Sequence, residues 1–143
     1  MSPAPIERII ARYFDAWNER DLAARAGLLS DACAPRVAYV DPKHTCDGVA
    51  ELAARIQLSH DKLPGLRVRV TTVIDGYGDH FRYTWAFVAA RQGVYLSGLD
   101  VVARADDGRI GSLTSFFSAL VDLPRGEPLK LARPWGATAR STS

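Results

Sequence analysis

Apolar residues in the first stretch of the chain recur at helical spacing. Ile6, Ile9, Ile10, Tyr13, Phe14 and Trp17 share one side, and Glu7, Arg8, Arg12, Asp15 and Glu19 share the other. This predicts an N-terminal helix with one buried face, and the prolines before it suit a first turn, where a missing N–H costs nothing. Asn18-Glu19-Arg20-Asp21 interrupts the pattern, and Asp21 is placed to cap a short second helix carrying Leu22, Ala26 and Leu29. Pro35 blocks further helix. Val37, Tyr39 and Asp41 then alternate with Ala38 and Val40, which predicts a short strand stopped by Pro42. Asp47-Gly48 opens a third helix, with Val49, Leu52, Ala53 and Ile56 inward.

After Pro64-Gly65 the repeat changes from helical to alternating and stays so. Leu66, Val68 and Val70 alternate with Arg67, Arg69 and Thr71, and Phe81, Tyr83, Trp85 and Phe87 with Arg82, Thr84 and Ala86. Two more strands run from Val94 to Ala105 and from Ile110 to Ala119. Turns are marked by Gly76-Tyr77-Gly78-Asp79, Gln92-Gly93 and Asp106-Asp107-Gly108. The predicted order is ααβαββββ, an α+β domain over residues 1–123 with its helices on one face of a mainly antiparallel sheet. Residues 124–143, rich in proline and basic residues and carrying Trp135, read as a C-terminal arm, partly flexible.

A chain of 143 residues suits one domain. The net charge of +2 comes from 18 basic residues scattered among 16 acidic ones, which argues against nucleic acid as a partner. No apolar run approaches the roughly 18 residues of a membrane span, so no membrane partner is expected. Without a visible secretion signal, and with only Cys33 and Cys46 as thiols, a cytoplasmic location with both reduced is the expectation. The chain has no Gly-rich phosphate loop, no G-x-S-x-G elbow, no H-E-x-x-H and no paired C-x-x-C. No three ligands have metal-site spacing, and neither metal nor cofactor is expected.

Three polar residues stand where a core would prefer apolar ones. Tyr13 lies in the stripe of the first helix, Asp41 ends the first strand beyond Tyr39, and Asp100 falls mid-strand among apolar neighbours. A carboxylate buried there must be paired, hydrogen-bonded or protonated. The structural alternatives are a core tyrosine, an Asp-Pro strand end, and an Asp100 on the solvent face, since register is not fixed by sequence. Tyr83 and Trp85, with Trp17, Tyr39 and Phe117, form either plain core or the wall of a pocket for a flat apolar ligand. His44 and His60 sit near loop ends and are candidate proton carriers at neutral pH, with His44, which follows Asp41 closely, counted among the pocket residues. Arg67, Arg69 and Arg82 alternate outward.

Arg12-Tyr13, Asn18, Asp21-Leu22, Val40-Asp41-Pro42, Leu99-Asp100 and Gly108-Arg109-Ile110 together resemble ketosteroid isomerase. From about Ile6 to Phe117 the order of elements resembles the SnoaL-like branch of the NTF2-like superfamily. The resemblance implies an NTF2-like cone, with a strongly curved sheet enclosing one small-molecule pocket, and a homodimer. It also implies Tyr13 and Asp100 as hydrogen-bond donors to a substrate oxygen, with Asp41 as general base. The chain departs from the isomerase at Ala32-Cys33-Ala34-Pro35 and at Lys43-His44-Thr45-Cys46. The expected function is acid–base chemistry of isomerase or cyclase type on a small apolar carbonyl compound. The alternatives are a hydrophobic-ligand-binding module without catalysis and a protein-interaction scaffold. An epoxide-hydrolase-like variant would need Arg82 to point inward.

Overall fold

The N-terminal stripe folds as α1 (Ile6–Asn18), burying Ile10, Tyr13, Phe14, Ala16 and Trp17. The computed structural model describes residues 4–90 and 93–132. Asp21 caps α2 (Leu22–Ala32) by accepting the N–H of Ala24. The buried face of this helix differs from the expected one: Arg25, Leu29 and Ala32 turn inward, while Leu22 and Ala26 are exposed. Arg25 is only 1% exposed. Its Nε and Nη2 donate to the carbonyl of Glu19, just past the end of α1, and Nη1 donates to Gln57. The charge is therefore held at the negative end of one helix dipole and tied to a third helix.

The chain continues through β1 (Cys33–Val40), β2 (Thr45–Asp47), α3 (Val49–Lys62), β3 (Arg67–Val70), β4 (Asp75–Tyr77), β5 (His80–Ala89), β6 (Gly93–Arg104) and β7 (Ile110–Phe117). The three helices and the four long alternating segments lie where the periodicity puts them. The three-residue strands β2 and β4 correct the expected order; both are too short for alternation to show. Pro35 sits inside β1, in the stretch where the β1–β7 register shifts. Of the expected Gln92-Gly93 turn, Gln92 lies outside the described residues, as does Trp135 of the expected arm.

The strands form one sheet in the order β2-β1-β7-β6-β5-β3, with β4 also pairing with β5. Every pair is antiparallel except β1 with β7, which closes the meander back onto the first strand in parallel. Breaks in register at Phe87/Val88 and Ala103/Arg104 bend the long strands, and the curved sheet wraps its concave face around the helices. Tyr83, Trp85, Phe87, Val102 and Leu113 point into that concavity, whereas Arg67, Arg69 and Arg82 face outward.

Two contacts fix α1 and α3 where the site lies. Asn18, at the end of α1, donates to the carbonyl of Val68 (2.8 Å) and accepts the Val68 N–H (2.7 Å), acting as a further strand on the free edge of β3. The ring Nε2 of His60, on α3, is 2.6 Å from the Trp17 carbonyl. Replacing Asn18 by Ala leaves both Val68 groups without protein partners, at an expected cost of about 1–2 kcal/mol. A urea-denaturation midpoint that does not move would show that solvent replaces the bracket in full.

Candidate functional site

Strand alternation puts Tyr83, Asp100 and Ser115 in one row across β5, β6 and β7, all facing the helices. Asp100 is 3% exposed. The Tyr83 hydroxyl donates to Asp100 Oδ2 at 2.7 Å, and the Trp85 indole N–H donates to Oδ1 at 2.8 Å. Ser115 adds a further hydrogen bond. Burial pushes the Asp100 carboxyl up to about 6, against the pull of these three donors and with a push from the charge of Asp41. Of about four lone-pair positions on a carboxylate, three are engaged and one is left for a ligand.

The next row, Trp85–Gly98–Phe117, explains how the indole reaches Asp100. A Cβ at Gly98 would stand 2.4 Å from Trp85 Cζ2 and 2.2 Å from the Phe116 carbonyl oxygen. The missing side chain lets the indole lie flat across β6. Phe117 closes against that ring edge-to-face at 5.7 Å, and Phe87 lies 4.9 Å from it on the other side.

These groups line a crevice between the sheet and α1. Its aromatic wall is Phe14, Trp17, Trp85, Phe87 and Phe117, and its polar side chains are Tyr13, Tyr39, Arg55, Asp100 and Ser115. The non-atom space is about 270 Å³ including the open mouth, but the cavity proper is only about 10 Å³, room for roughly one water. Tyr13 is fully buried, and burial raises its hydroxyl well above the usual phenol range, reinforced by the nearby Tyr39 and Asp100. It therefore stays protonated and can donate.

Asp41 is not part of this wall. It is 6% exposed and sits just behind Tyr39 and Arg55. Oδ2 accepts the Tyr39 hydroxyl (2.7 Å) and Arg55 Nε (3.1 Å). Oδ1 accepts the backbone N–H groups of Lys43 and His44 at 2.8 Å each, with His44 Nδ1 at 3.2 Å. Burial alone would raise this carboxyl, but the Tyr39 and Lys43 hydrogen bonds, the Arg55 charge and His44 outweigh it and hold it below the usual range. Four donors, the Tyr39 hydroxyl, Arg55 Nε and two backbone N–H groups, occupy the four or so lone-pair positions of this carboxylate.

Of the residues expected at the site, Tyr13, Asp100, Trp17, Tyr39, Trp85 and Phe117 converge on the crevice. Asp41 stands behind it, Tyr83 stands behind Asp100, and His44 lines a separate outer groove of about 400 Å³ with Lys43, Cys46 and Arg55. Arg82 is exposed and paired with Asp75 at 2.8 Å, so it does not point inward; the arginine that lines the crevice is Arg55. The sequence reading missed Arg55 and Ser115. Arg55 sits one residue before the apolar Ile56 on the buried side of α3, a signal present in the periodicity. Among the described residues, no group of acidic, histidine and cysteine side chains could hold a metal ion, and no helix is long and apolar enough to cross a membrane.

A family model described as a SnoaL-like domain matches residues 10–112. The fold is similar to that of a candidate isomerase of the SnoaL-like family from Agrobacterium tumefaciens. That protein has 32% identity and a TM-score of 0.73, over 78% of this chain and 96% of the other. A candidate ketosteroid isomerase from Kribbella flavida (20% identity, TM-score 0.60, 90% and 92% covered) shares the fold. So does a candidate polyketide cyclase from Sinorhizobium meliloti (18% identity, TM-score 0.61, 76% and 93% covered). No curated protein matches the chain.

Two outcomes follow from the row geometry. Gly98→Ala drives the Trp85 ring off Asp100 and destabilises the protein by about 1–3 kcal/mol, read as a lower denaturation midpoint with a shifted Trp85 indole N–H signal. An unmoved indole signal would refute the close approach. The second outcome concerns pH. Folded Asp100 keeps its proton up to about 6, against 3.8 for the free group, so the folded chain binds more protons than the unfolded one between those values. Asp100 therefore costs stability increasingly as pH rises through that window. The stability gap between Asp100→Asn and wild type should shift in favour of the variant between about pH 4 and about pH 7, then level off. A gap independent of pH would contradict the raised carboxyl.

Proposed function

This chain belongs to the SnoaL-like family, and on that premise we propose that it moves a proton on a small, flat, apolar carbonyl compound, with Asp100 as the base. The observation that carries the reading is a nearly buried carboxylate, held by neutral donors alone, that shares the crevice wall with Tyr13 and that burial pushes up to about 6. A base is most effective when its pKa lies near the working pH, and burial brings Asp100 there.

In this reading Asp100 takes a proton from the carbon next to the carbonyl. Tyr13 donates a hydrogen bond to the enolate oxygen that forms. The proton on Asp100 then returns to another carbon of the conjugated system, giving an isomer with no net change in atoms. The roles implied by the isomerase resemblance are thereby rearranged. Asp41, saturated by four donors, holds Tyr39 and Arg55 in the wall, and Asp100, surrounded by N–H and O–H donors, accepts a proton instead of donating one. Behind its open mouth the crevice has room for roughly one water, so binding a larger molecule displaces side chains of its wall. The aromatic wall, which needs no proton transfer to hold a ligand, supports a second reading, ligand binding without turnover. The homodimer implied by the resemblance would cover the exposed apolar outer face of the sheet at Val40, Val101 and Phe116.

The test is hydrogen–deuterium exchange at the carbon next to the carbonyl of a small cyclic enone, followed by NMR. The full chain is expected to accelerate exchange, with a rate that rises through about pH 6 as Asp100 ionises. Asp100→Asn should lower the rate at least roughly a hundredfold, and Tyr13→Phe by a smaller factor. Exchange that survives Asp100→Asn would sink the base assignment. Stabilisation by the enone without any exchange would establish the binding reading.

A further inference from the structure

Arg55 is the charged group in the crevice wall that the proton transfer leaves unused. Its side chain is 10% exposed. Nε donates to Asp41 and Nη1 donates to Ser59 at 2.6 Å, and the guanidinium carbon lies 5.9 Å from the centroid of the Trp17 ring. Nη2 has no hydrogen-bond partner among the described residues. Asp41 engages Arg55 through one contact only and shares its charge with Tyr39, Lys43 and His44, so the cation is compensated in part. On its other side Arg55 forms part of the outer groove, where Lys43 and His44 add positive or ionisable groups and Glu51 is turned to the backbone N–H of Asp47.

We propose that Arg55 is the anion anchor of the crevice, so that its ligand is a small, flat, apolar molecule bearing a carboxylate. Three features support this. Asp41 on Nε and Ser59 on Nη1 fix the plane of the guanidinium and leave Nη2 to meet a carboxylate. The aromatic walls match a ring or conjugated body, and the stacked Trp17 keeps the cation from swinging out. Low polarity around the pair strengthens the attraction relative to water. Asp100, the negative group that lines the crevice itself, has its charge covered by Tyr83, Trp85 and Ser115 and sits on the sheet side, whereas Arg55 sits on α3. This inference rests on the reading of the crevice as the substrate site and narrows its substrate to acids.

The experiment titrates the full chain with benzoate and with benzamide, which share a shape and differ in charge, following the Trp17 and Trp85 indole N–H signals by NMR. Benzoate is expected to bind roughly tenfold tighter and to shift both indole signals. Arg55→Lys should keep part of the preference. Arg55→Gln leaves Asp41 buried without its cation and is prone to misfold, so the Asp41→Asn/Arg55→Gln pair, which removes both charges, serves as the neutral control and should lose the preference. Equal binding of the two probes to wild type would overturn the proposal. So would benzoate shifts confined to the backbone of Lys43 and His44, or no binding of either probe at millimolar concentration. Asp100→Asn separates the two ideas. A preference for benzoate that survives in this variant supports the anchor whatever happens to exchange, and a preference that disappears with Asp100 while Arg55 is intact overturns it.

Discussion

A carboxylate buried on the concave face of a sheet is the constraint around which this structure is arranged. An uncompensated charge at the position of Asp100 would cost several kcal/mol, and the sheet meets that cost with its own rows. Tyr83 and Ser115 are the cross-strand neighbours of Asp100, and the third donor, Trp85, belongs to the adjoining row. The indole crosses that distance only because Gly98 has no side chain. One glycine, two aromatic residues and a serine thus form a single device. The aromatic packing around the crevice follows from it, since Phe87 and Phe117 close on the ring that Asp100 orients.

The two aspartates show how environment divides one side chain into different chemistry. Both are almost wholly buried, yet Asp41 is held below the usual carboxylate range and Asp100 is pushed up to about 6. The difference lies in the partners. Asp41 ends β1 at a turn whose backbone N–H groups point at it, and it adds the cation of Arg55. Asp100 sits mid-strand, where the backbone groups are committed to the ladder, and has only neutral donors. A turn supplies free N–H groups and a strand interior does not. For that reason the saturated carboxylate lies at the end of a strand and the one with the raised carboxyl in the middle.

Much of this was legible in the chain itself. The helical stripe from Ile6 to Trp17, the Asp21 cap and the alternation from Leu66 onward fix the helices and the long strands, because each rests on a periodicity of many residues. Asp100 stood out for the same reason, as a charge inside an apolar alternation. What escaped was local or non-local in a way periodicity does not record. β2 and β4 are three residues long. Arg25 reads as a solvent residue until the carbonyl of Glu19 and the amide of Gln57 are placed around it. Arg55 was passed over because a cation beside an apolar position looks like a helix flank, and only the fold brings Asp41 to it.

The site is divided between layers that differ in how firmly they are held. Asp100, Trp85 and Ser115 lie on the central strands β5, β6 and β7, each paired on both sides. Tyr13 and Arg55 come from α1 and α3, tied to the rest by a few directional contacts: Asn18 on Val68, His60 on the Trp17 carbonyl and Arg55 on Asp41. A sheet interior is costlier to deform than a helix contact. Rearrangement around the crevice therefore falls first to the helical side, while the carboxylate and its donors keep their geometry. The buried carboxylate is built into the most firmly paired part of the fold.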